Sequence, residues 1–238
     1  MCLIVFAWKL IPQCPLVLAA NRDEFFSRPA QSADWWQDQP NIFAGRDLEG
    51  GGTWLGVNQQ GRFAALTNIR NGYQPALEKR SRGELVSNFL RHDISAQDYV
   101  EQVRNIGAEY NGFNLILGDE NAMYWVSNGE DSEPQAITPG IYGLSNGALD
   151  TPWPKVVRAK AQFASLLCQG APDDAYFEML SDTTRAADSR LPDTGVSLEL
   201  ERMLSPICIE SEHYGTRASS IVRLHSGGKA HLSERVIR

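Results

Sequence analysis

The sequence predicts an α+β fold in which two packed antiparallel sheets carry helices on their outer faces. Its segments follow one another as strands, helices, strands, helices and strands, without the βαβ alternation that is typical of a doubly wound parallel sheet. The strands also occur in pairs joined by turn residues, which indicates hairpins. The 238 residues contain no Ser/Gly-rich linker and no internal repeat, so a single domain spanning residues 1–238 is predicted.

The N-terminal part of the chain predicts two hairpins followed by two helices. The strands CLIVFAWKL and PLVLAANRDEF are joined by the turn IPQCP, and the strands TWLGVN and RFAALTN are joined by QQG. The segment SRGELVSNFLRH has helical periodicity, and Ser81 and Glu84 have the spacing of a capping box at its start. The next helix, SAQDYVEQVRNIG, is expected to end at Gly107.

The C-terminal part predicts a third hairpin, two helices and a closing group of strands. The hairpin is GFNLILGDENAMYWVSNGE, and GIYGLSN is a short strand after it. A long helix begins near Pro154 and ends at Gly170, and DDAYFEMLSD is a second helix. Two or three strands around a turn at Gly227 and Gly228 close the chain. This order places the N-terminal strand in the interior and the long helices over one face.

The charge and the sequence patterns exclude several classes of protein. With 22 lysine and arginine residues against 29 aspartate and glutamate residues, the net charge is −7, which argues against a nucleic-acid partner or a polybasic membrane anchor. Neither the cysteines nor the histidines have metal-ligand spacing. The apolar N-terminal run is too short for an integral membrane segment and lacks a preceding basic residue. We therefore expect a soluble, reduced, cytoplasmic protein without a metal.

The position of Cys2 directly after Met1 allows two interpretations. Cys2 is either a small hydrophobic residue in a buried strand, or the first residue of a processed protein, with its thiol and free amine on one carbon. Its position alone does not choose between them. Of the other cysteines, Cys14 lies in the predicted first turn and Cys208 lies near the C-terminal strands. Cys168 lies in a predicted amphipathic helix, and we expect its thiol to be inert.

Charged and amide side chains stand at several predicted strand ends. Arg22, Asp23 and Glu24 interrupt an apolar strand; either the strand reaches the surface there, or Arg22 and a carboxylate flank a site in which the arginine lowers a thiol pKa and holds a carbonyl or carboxylate. Because neighbouring residues of a strand point to opposite faces, Arg22 and Asp23 share a site only if the strand ends or bulges there. Weaker candidates, which turn chemistry also explains, are Asn68, Asn146 and Arg217.

Four blocks in the same order carry a resemblance to a known family: NRDE at residues 21–24, GGTWLGVNQQGRFAALTN, LSNGALDTPWPK and YGTRASS. Together they resemble the NRDE family, also described as the transport and Golgi organisation protein 2 family, over nearly the whole chain. That family is similar to the cysteine branch of the N-terminal-nucleophile (Ntn) hydrolases, which contains choloylglycine hydrolases and penicillin V acylases. The resemblance implies a four-layer αββα sandwich.

The resemblance also implies roles for the candidate residues. Met1 would be removed, Cys2 would attack a carbonyl with its own α-amine as the nearest base, and Asn68 and Asn146 would hold the oxyanion. The hydrolases have an Arg-x-x-Asp pattern at this strand end. Asp23 matches the position of its aspartate, whereas Arg22 matches its arginine in residue type but not in position. Arg217 would match a late arginine of those enzymes.

The chemistry that follows is a hydrolase or acyltransferase acting on an amide or thioester of a small molecule, without a cofactor. The alternative is a non-catalytic protein on the same scaffold that binds haem or a lipid such as an acyl-CoA. Four tryptophans are candidates for lining an apolar pocket in either case: Trp8, Trp35, Trp36 and Trp54. The oligomeric state stays open.

Overall fold

A computed structural model describes residues 2–72, 76, 78–129 and 133–238. The strands are β1 (Cys2–Ile11), β2 (Cys14–Phe25), β3 (Ala30–Trp36), β4 (Gln39–Asp47), β5 (Leu55–Asn58), β6 (Phe63–Asn68), β7 (Phe113–Gly118), β8 (Met123–Ser127), β9 (Gln135–Ala136), β10 (Gly140–Leu144), β11 (Tyr214–His225) and β12 (Lys229–Val236). The α-helices are α1 (Gly83–Arg91), α2 (Ala96–Ile106), α3 (Pro154–Cys168), α4 (Asp173–Leu180) and α5 (Leu198–Met203). Two 3₁₀ turns span Gly107–Glu109 and Asp188–Arg190.

The strands form two antiparallel sheets that pack face to face. One has five strands in the order β10-β1-β2-β11-β12, and the other has seven in the order β3-β4-β5-β6-β7-β8-β9. The even-numbered residues of β1, from Ile4 to Trp8, point between the sheets and meet apolar residues such as Leu55, Phe63 and Ile116. β1 therefore lies in the interior of its sheet, as the sequence predicts.

Helices cover the outer face of each sheet. The odd-numbered residues of β1, such as Leu3 and Val5, pack against Val156 and Phe163 of α3 and against residues of α4. On the other side, α1 and α2 place their apolar faces on the seven-stranded sheet through residues such as Phe89. The layers are thus helix, sheet, sheet and helix, and the predicted αββα class is confirmed.

One hairpin is missing from the sequence analysis, and one local prediction is wrong. The hairpin of β3 and β4 is not predicted by the sequence, because most residues of β3 are exposed or half-buried and the strand lacks an apolar pattern. The capping box is also wrong, since α1 begins at Gly83 behind Arg82, which makes no side-chain cap. The carboxylate of Glu84 instead accepts a hydrogen bond from the Tyr110 hydroxyl (2.6 Å).

The helices of the described ranges all lack the combination of length and apolar content that crossing a bilayer requires.

Candidate functional site

A cleft of about 850 Å³ opens where the strands around Cys2 end, beside the last residue of β6. Five of the six residues singled out from the sequence border it: Cys2, Arg22, Asp23, Asn68 and Arg217. Cys2 is the first residue of β1 and pairs with Arg22 of β2. Since cross-strand partners share a face, both side chains lie on the inner side of the five-stranded sheet. The Cys2 residue is 6 % exposed, so its thiol lies at the floor of the cleft.

Strand alternation divides the NRDE segment between two environments. Asn21 and Asp23 are buried, whereas Arg22 and Glu24 are half-buried beside the cleft and approach each other to 4.0 Å. The Asp23 carboxylate accepts a hydrogen bond from the Thr216 hydroxyl (2.7 Å). The charged side chains of the motif therefore do not all point to the same face of the sheet, although Asp23 still borders the cleft.

The strand around Arg22 neither ends nor bulges, which differs from the expectation for a shared site. β2 continues to Phe25, and the irregularity lies in its neighbour β11, where the register shifts between Thr216 and Ala218. Arg217 is the extra residue at this bulge, and its guanidinium donates to the backbone carbonyls of Phe25 and Arg28. The bulge thus turns the Arg217 side chain toward the cleft.

The two asparagines expected to bind an oxyanion form one connected unit. Asn68 borders the cleft, while Asn146 is fully buried and donates from Nδ2 to the backbone carbonyl of Asn68 (2.8 Å). The Ser145 hydroxyl hydrogen-bonds the Cys2 carbonyl (3.0 Å) and the Asn146 Oδ1 (3.2 Å). Asn146 therefore supports the backbone of Asn68 and, through Ser145, is linked to the residue that carries the thiol.

Burial raises the pKa of the Cys2 thiol, and the Asp23 carboxylate raises it further, while Arg22 acts in the opposite direction. The sequence analysis expected Arg22 to prevail; desolvation is the larger effect because the thiol is almost completely enclosed. Burial also raises the pKa of Cys14 and Cys208. Cys168, which was expected to be inert, is exposed on α3, so reagents reach it directly.

Two basic residues at the site were not identified from the sequence. Lys155 is only 3 % exposed, and Cys2 and Asp23 are among the charges that act on it. Arg82 borders the cleft and donates to the Gly112 carbonyl (3.1 Å). Lys155 ends the LSNGALDTPWPK block, which was the available signal. A lysine on the first turn of a helix ordinarily faces solvent, so its burial follows only from the packing of α3.

The tryptophans have separate locations. Trp54 borders the cleft, Trp8 and Trp36 belong to the hydrophobic core, and Trp35 is exposed. No group of three or more His, Cys, Asp or Glu side chains within the described ranges is arranged to hold a metal ion. Met1, whose removal the sequence analysis predicts, lies outside the described residues.

Comparisons with known proteins agree on a family. The profile of the family described as Transport and Golgi organisation 2 matches residues 1–238. The human Transport and Golgi organization protein 2 homolog is 37% identical over 258 residues, covering 99% of this chain and 92% of its own length. The Drosophila melanogaster protein Transport and Golgi organization protein 2 is 28% identical over 265 residues, with 98% and 91% coverage.

Two solved structures show the same fold at low sequence identity. A Caenorhabditis elegans ortholog of N-acylethanolamine-hydrolyzing acid amidase has a TM-score of 0.58 and 8% identity, covering 99% of this chain and all of its own. A mutant of the conjugated bile acid hydrolase from Clostridium perfringens has a TM-score of 0.57 and 10% identity, with 100% and 89% coverage. The scaffold of this chain is therefore that of the Ntn hydrolases.

Proposed function

This chain belongs to the Transport and Golgi organisation 2 family, and we propose that it is a hydrolase or acyltransferase that cleaves a small amide or thioester with Cys2 as nucleophile. The observation that carries the proposal is the placement of Cys2. A thiol at the first residue of an interior strand lies on the floor of a cleft of about 850 Å³, on the same face as Arg22. By their printed names, the two structural neighbours described above are an acid amidase that hydrolyses N-acylethanolamines and a conjugated bile acid hydrolase, and they share the fold.

The proposed reaction begins with removal of Met1, which gives Cys2 a free α-amine. An α-amine has a reference pKa of about 7.7–8.0, so it is a competent base near neutral pH. It takes the thiol proton while the sulfur bonds to the carbonyl carbon. Collapse of the tetrahedral adduct breaks the bond to the leaving group, which takes the proton from the amine. Water, or another acceptor in a transferase, then attacks the thioester with the same amine as base, and the thiol is restored.

The surrounding residues supply charge and hydrogen bonds for this reaction. The side-chain amide of Asn68, at the cleft, is the donor proposed for the oxyanion, and Asn146 holds the Asn68 backbone in place. Loss of one oxyanion donor typically costs about 10²–10³ in rate. Arg22 lowers the pKa of the Cys2 thiol against the effect of burial.

Binding without turnover is the second candidate function. The raised pKa of the Cys2 thiol favours it, because a protonated thiol is a poor nucleophile. Cys2, Met203 and Tyr214 border the cleft and are of the types that ligate haem iron. Trp54 offers an apolar surface for a lipid chain.

The test begins with the intact mass of the purified protein, which reports directly whether Met1 is present. The protein is then mixed with p-nitrophenyl acetate, an activated ester, and the burst of nitrophenolate is recorded. A Cys168→Ser background removes the exposed thiol. We expect a mass without Met1 and a burst of about one equivalent that Cys2→Ala abolishes. A matched Cys208→Ser variant should keep the burst.

Two outcomes would contradict the enzyme proposal. One is full burst activity in protein that retains Met1. The other is an unchanged burst in folded Cys2→Ala protein, which should lose only about 1–2 kcal/mol of stability because the thiol is small. Haem or fatty-acid binding by the parent protein, without any burst, would instead identify a carrier.

A further inference from the structure

Residues 145–147, directly after β10, form a bridge between the two sheets beside Cys2. On the side of the five-stranded sheet, the Ser145 hydroxyl donates to the Cys2 carbonyl (3.0 Å). On the side of the seven-stranded sheet, the Ser145 carbonyl accepts from the Thr67 hydroxyl (2.5 Å). Ser145 and Thr67 are both almost completely buried. The bridge therefore joins β1 to β6 through hydrogen bonds that are shielded from water.

Thr67 acts together with Asn114, its cross-strand partner on β7. Asn114 is fully buried, and its Nδ2 donates to the Gly147 carbonyl of the bridge (2.8 Å) and to the Thr67 hydroxyl (3.3 Å). The Asn114 Oδ1 accepts from the indole Nε1 of Trp125 (3.2 Å). Each polar atom of the two side chains is thus engaged, and the pair holds the bridge at two points.

The Thr67–Asn114 pair interrupts an apolar face of the seven-stranded sheet. Two residues further along the same face of β6 and β7 are Ala65 and Ile116, which belong to the core between the sheets. An apolar pair of the same shape can be nearly as stable in such a place, since a buried hydrogen bond contributes only about 1 kcal/mol net. Stability alone therefore does not require this polar pair, which favours a role in aligning the site.

The proposed nucleophile and oxyanion donor come from different sheets. Cys2 lies on β1 of the five-stranded sheet, whereas Asn68 follows Thr67 at the end of β6 in the seven-stranded sheet. Apolar packing between the sheets is not directional, but catalytic groups must be held within about 0.5 Å of their working geometry. The bridge supplies this direction, because Asn146 of the same segment donates to the Asn68 carbonyl (2.8 Å).

We propose that Thr67 and Asn114 are positioning residues, which hold the bridge and thereby keep the Asn68 amide aligned with the carbonyl that Cys2 attacks. This inference rests on the proposed function. Neither positioning residue is among the described residues that border the cleft, so both act through the bridge and do not touch the substrate. Loss of their contacts should let the two sheets shift relative to each other at this end and weaken the stabilisation of the oxyanion.

Two reactions of the Cys2 thiol separate alignment from a general disturbance of the site. Attack on p-nitrophenyl acetate places negative charge on the carbonyl oxygen, which the oxyanion donor stabilises. Alkylation by iodoacetamide displaces iodide from carbon in one step and forms no tetrahedral oxyanion. A change in alignment therefore slows the burst but not the alkylation, whereas a change in the burial or the pKa of the thiol alters both rates.

The test compares Thr67→Val with Thr67→Ser in the Cys168→Ser background. Thr67→Val keeps the shape of the side chain and removes the hydroxyl, so we expect the rate constant of the burst to fall by about 10- to 100-fold. The alkylation rate of Cys2, measured by peptide mapping, should stay close to the parent rate. Thr67→Ser retains the hydroxyl, so its burst should also stay close to the parent rate.

Asn58→Leu is the matched control for Asn114→Leu. Asn58 of β5 is also buried, and it donates to the Leu90 carbonyl (2.9 Å). Its Oδ1 accepts from the backbone nitrogens of Gln60 and Arg62 (3.0 and 2.9 Å). Each substitution removes three side-chain hydrogen bonds within the described ranges. Both should reduce stability in urea denaturation, but only Asn114→Leu should slow the burst.

Several results would overturn the inference. One is a parent-like burst rate in folded Thr67→Val protein, and another is a burst rate and an alkylation rate that fall by the same factor. A burst in Thr67→Ser that is as slow as in Thr67→Val, or an equal loss of burst rate in Asn58→Leu and Asn114→Leu, overturns it as well. If one of Thr67→Val and Asn114→Leu does not fold, the other decides.

The outcomes also separate the inference from the proposed function. A burst that depends on Cys2 but has the same rate in every Thr67 and Asn114 variant overturns the role of these two residues alone. Absence of any Cys2-dependent burst in the parent protein overturns both.

Discussion

The two faces of the β1–β2 strand pair differ sharply at the end that carries Cys2. On the face toward the helices, Asn21 is completely buried and its amide bonds the Leu180 and Ile207 carbonyls (2.8 and 2.9 Å). On the face toward the other sheet, the Arg22 side chain is 12 % exposed beside the cleft, and its guanidinium lies 4.0 Å from the Glu24 carboxylate. One face is a closed polar network, and the other is open to a ligand.

This difference shows that a four-residue motif serves two purposes. Asn21 joins the helix layer to the sheet and Asp23 accepts a hydrogen bond from Thr216 of the neighbouring strand, whereas Arg22 and Glu24 supply charge to the cleft. The reason is the two-residue period of a strand, which sends neighbours to opposite faces. We therefore expect substitutions in the motif to separate into those that reduce stability and those that change the reactivity of Cys2.

Asn21→Leu should give the largest loss of stability. Its Nδ2 donates to two buried carbonyls, and its Oδ1 accepts from the Ser219 hydroxyl (2.6 Å). Removing one partner leaves these groups buried and unsatisfied, so the free energy of unfolding should fall by about 2–4 kcal/mol. Urea denaturation measures this loss.

The control for this variant is Asn41→Leu, because Asn41 is exposed on β4. It should change stability by about 0.5 kcal/mol or less. A similar small effect of Asn21→Leu would show that the buried network carries little stability and would remove the distinction between the two faces.

The sequence predicts the architecture of this protein better than it predicts the electrostatics of the site. Hairpins such as β1–β2 and helices such as α3 follow from apolar periodicity and turn residues, and the resemblance supplies the layer order. The hairpin of β3 and β4 cannot be predicted from the sequence, because the mostly exposed residues of β3 have no periodic apolar pattern. The bulge at Arg217 cannot be predicted either, since it depends on the register between β2 and β11, which are far apart in the sequence.

The site illustrates the same limit. Cys2, Arg22 and Asn68 meet at one cleft, as strand ends in one sheet sandwich can. The pKa of the Cys2 thiol, however, depends on how completely the surrounding layers exclude water, and no local pattern encodes that. Lys155 is the clearest case, because an amphipathic helix does not reveal that its first turn is covered.

The pH dependence of stability gives the second prediction, on the closed face. The native pKa of Lys155 is about 8, below its unfolded value. Between these two values the unfolded state binds more protons, so stability rises with pH in that window, by up to about 1.4 kcal/mol per unit. Lys155→Met should lack this rise in urea denaturation measured from about pH 7.5 to 9.5.

A matched variant on the same helix controls for the other groups that titrate in this range. Lys160 is partly exposed and binds Asp150 at 2.7 Å, so Lys160→Met should retain the rise. If Lys155→Met and the parent protein show the same slope, Lys155 is not desolvated, and the closed face is more hydrated than its geometry indicates.

Arg22→Gln should have the smallest effect on stability and is the sharpest test of the open face. The guanidinium is 4.0 Å from Glu24 in a partly exposed pair, a type that contributes about 0–1 kcal/mol. It does lower the pKa of the Cys2 thiol, so its loss should slow alkylation of Cys2 by iodoacetamide at neutral pH by up to about tenfold. Peptide mapping in the Cys168→Ser background measures the rate.

Arg235→Gln is the control for a lost surface cation, because Arg235 binds Asp174 at an exposed site and does not border the cleft among the described residues. It should leave both the alkylation rate and the stability unchanged. An Arg22→Gln protein with a normal alkylation rate and a stability loss as large as that of Asn21→Leu would assign Arg22 to the closed network. The proposed separation of the motif into a stabilising face and a reactive face would then be wrong, because residues on both faces would contribute to stability and none would affect the reactivity of the Cys2 thiol.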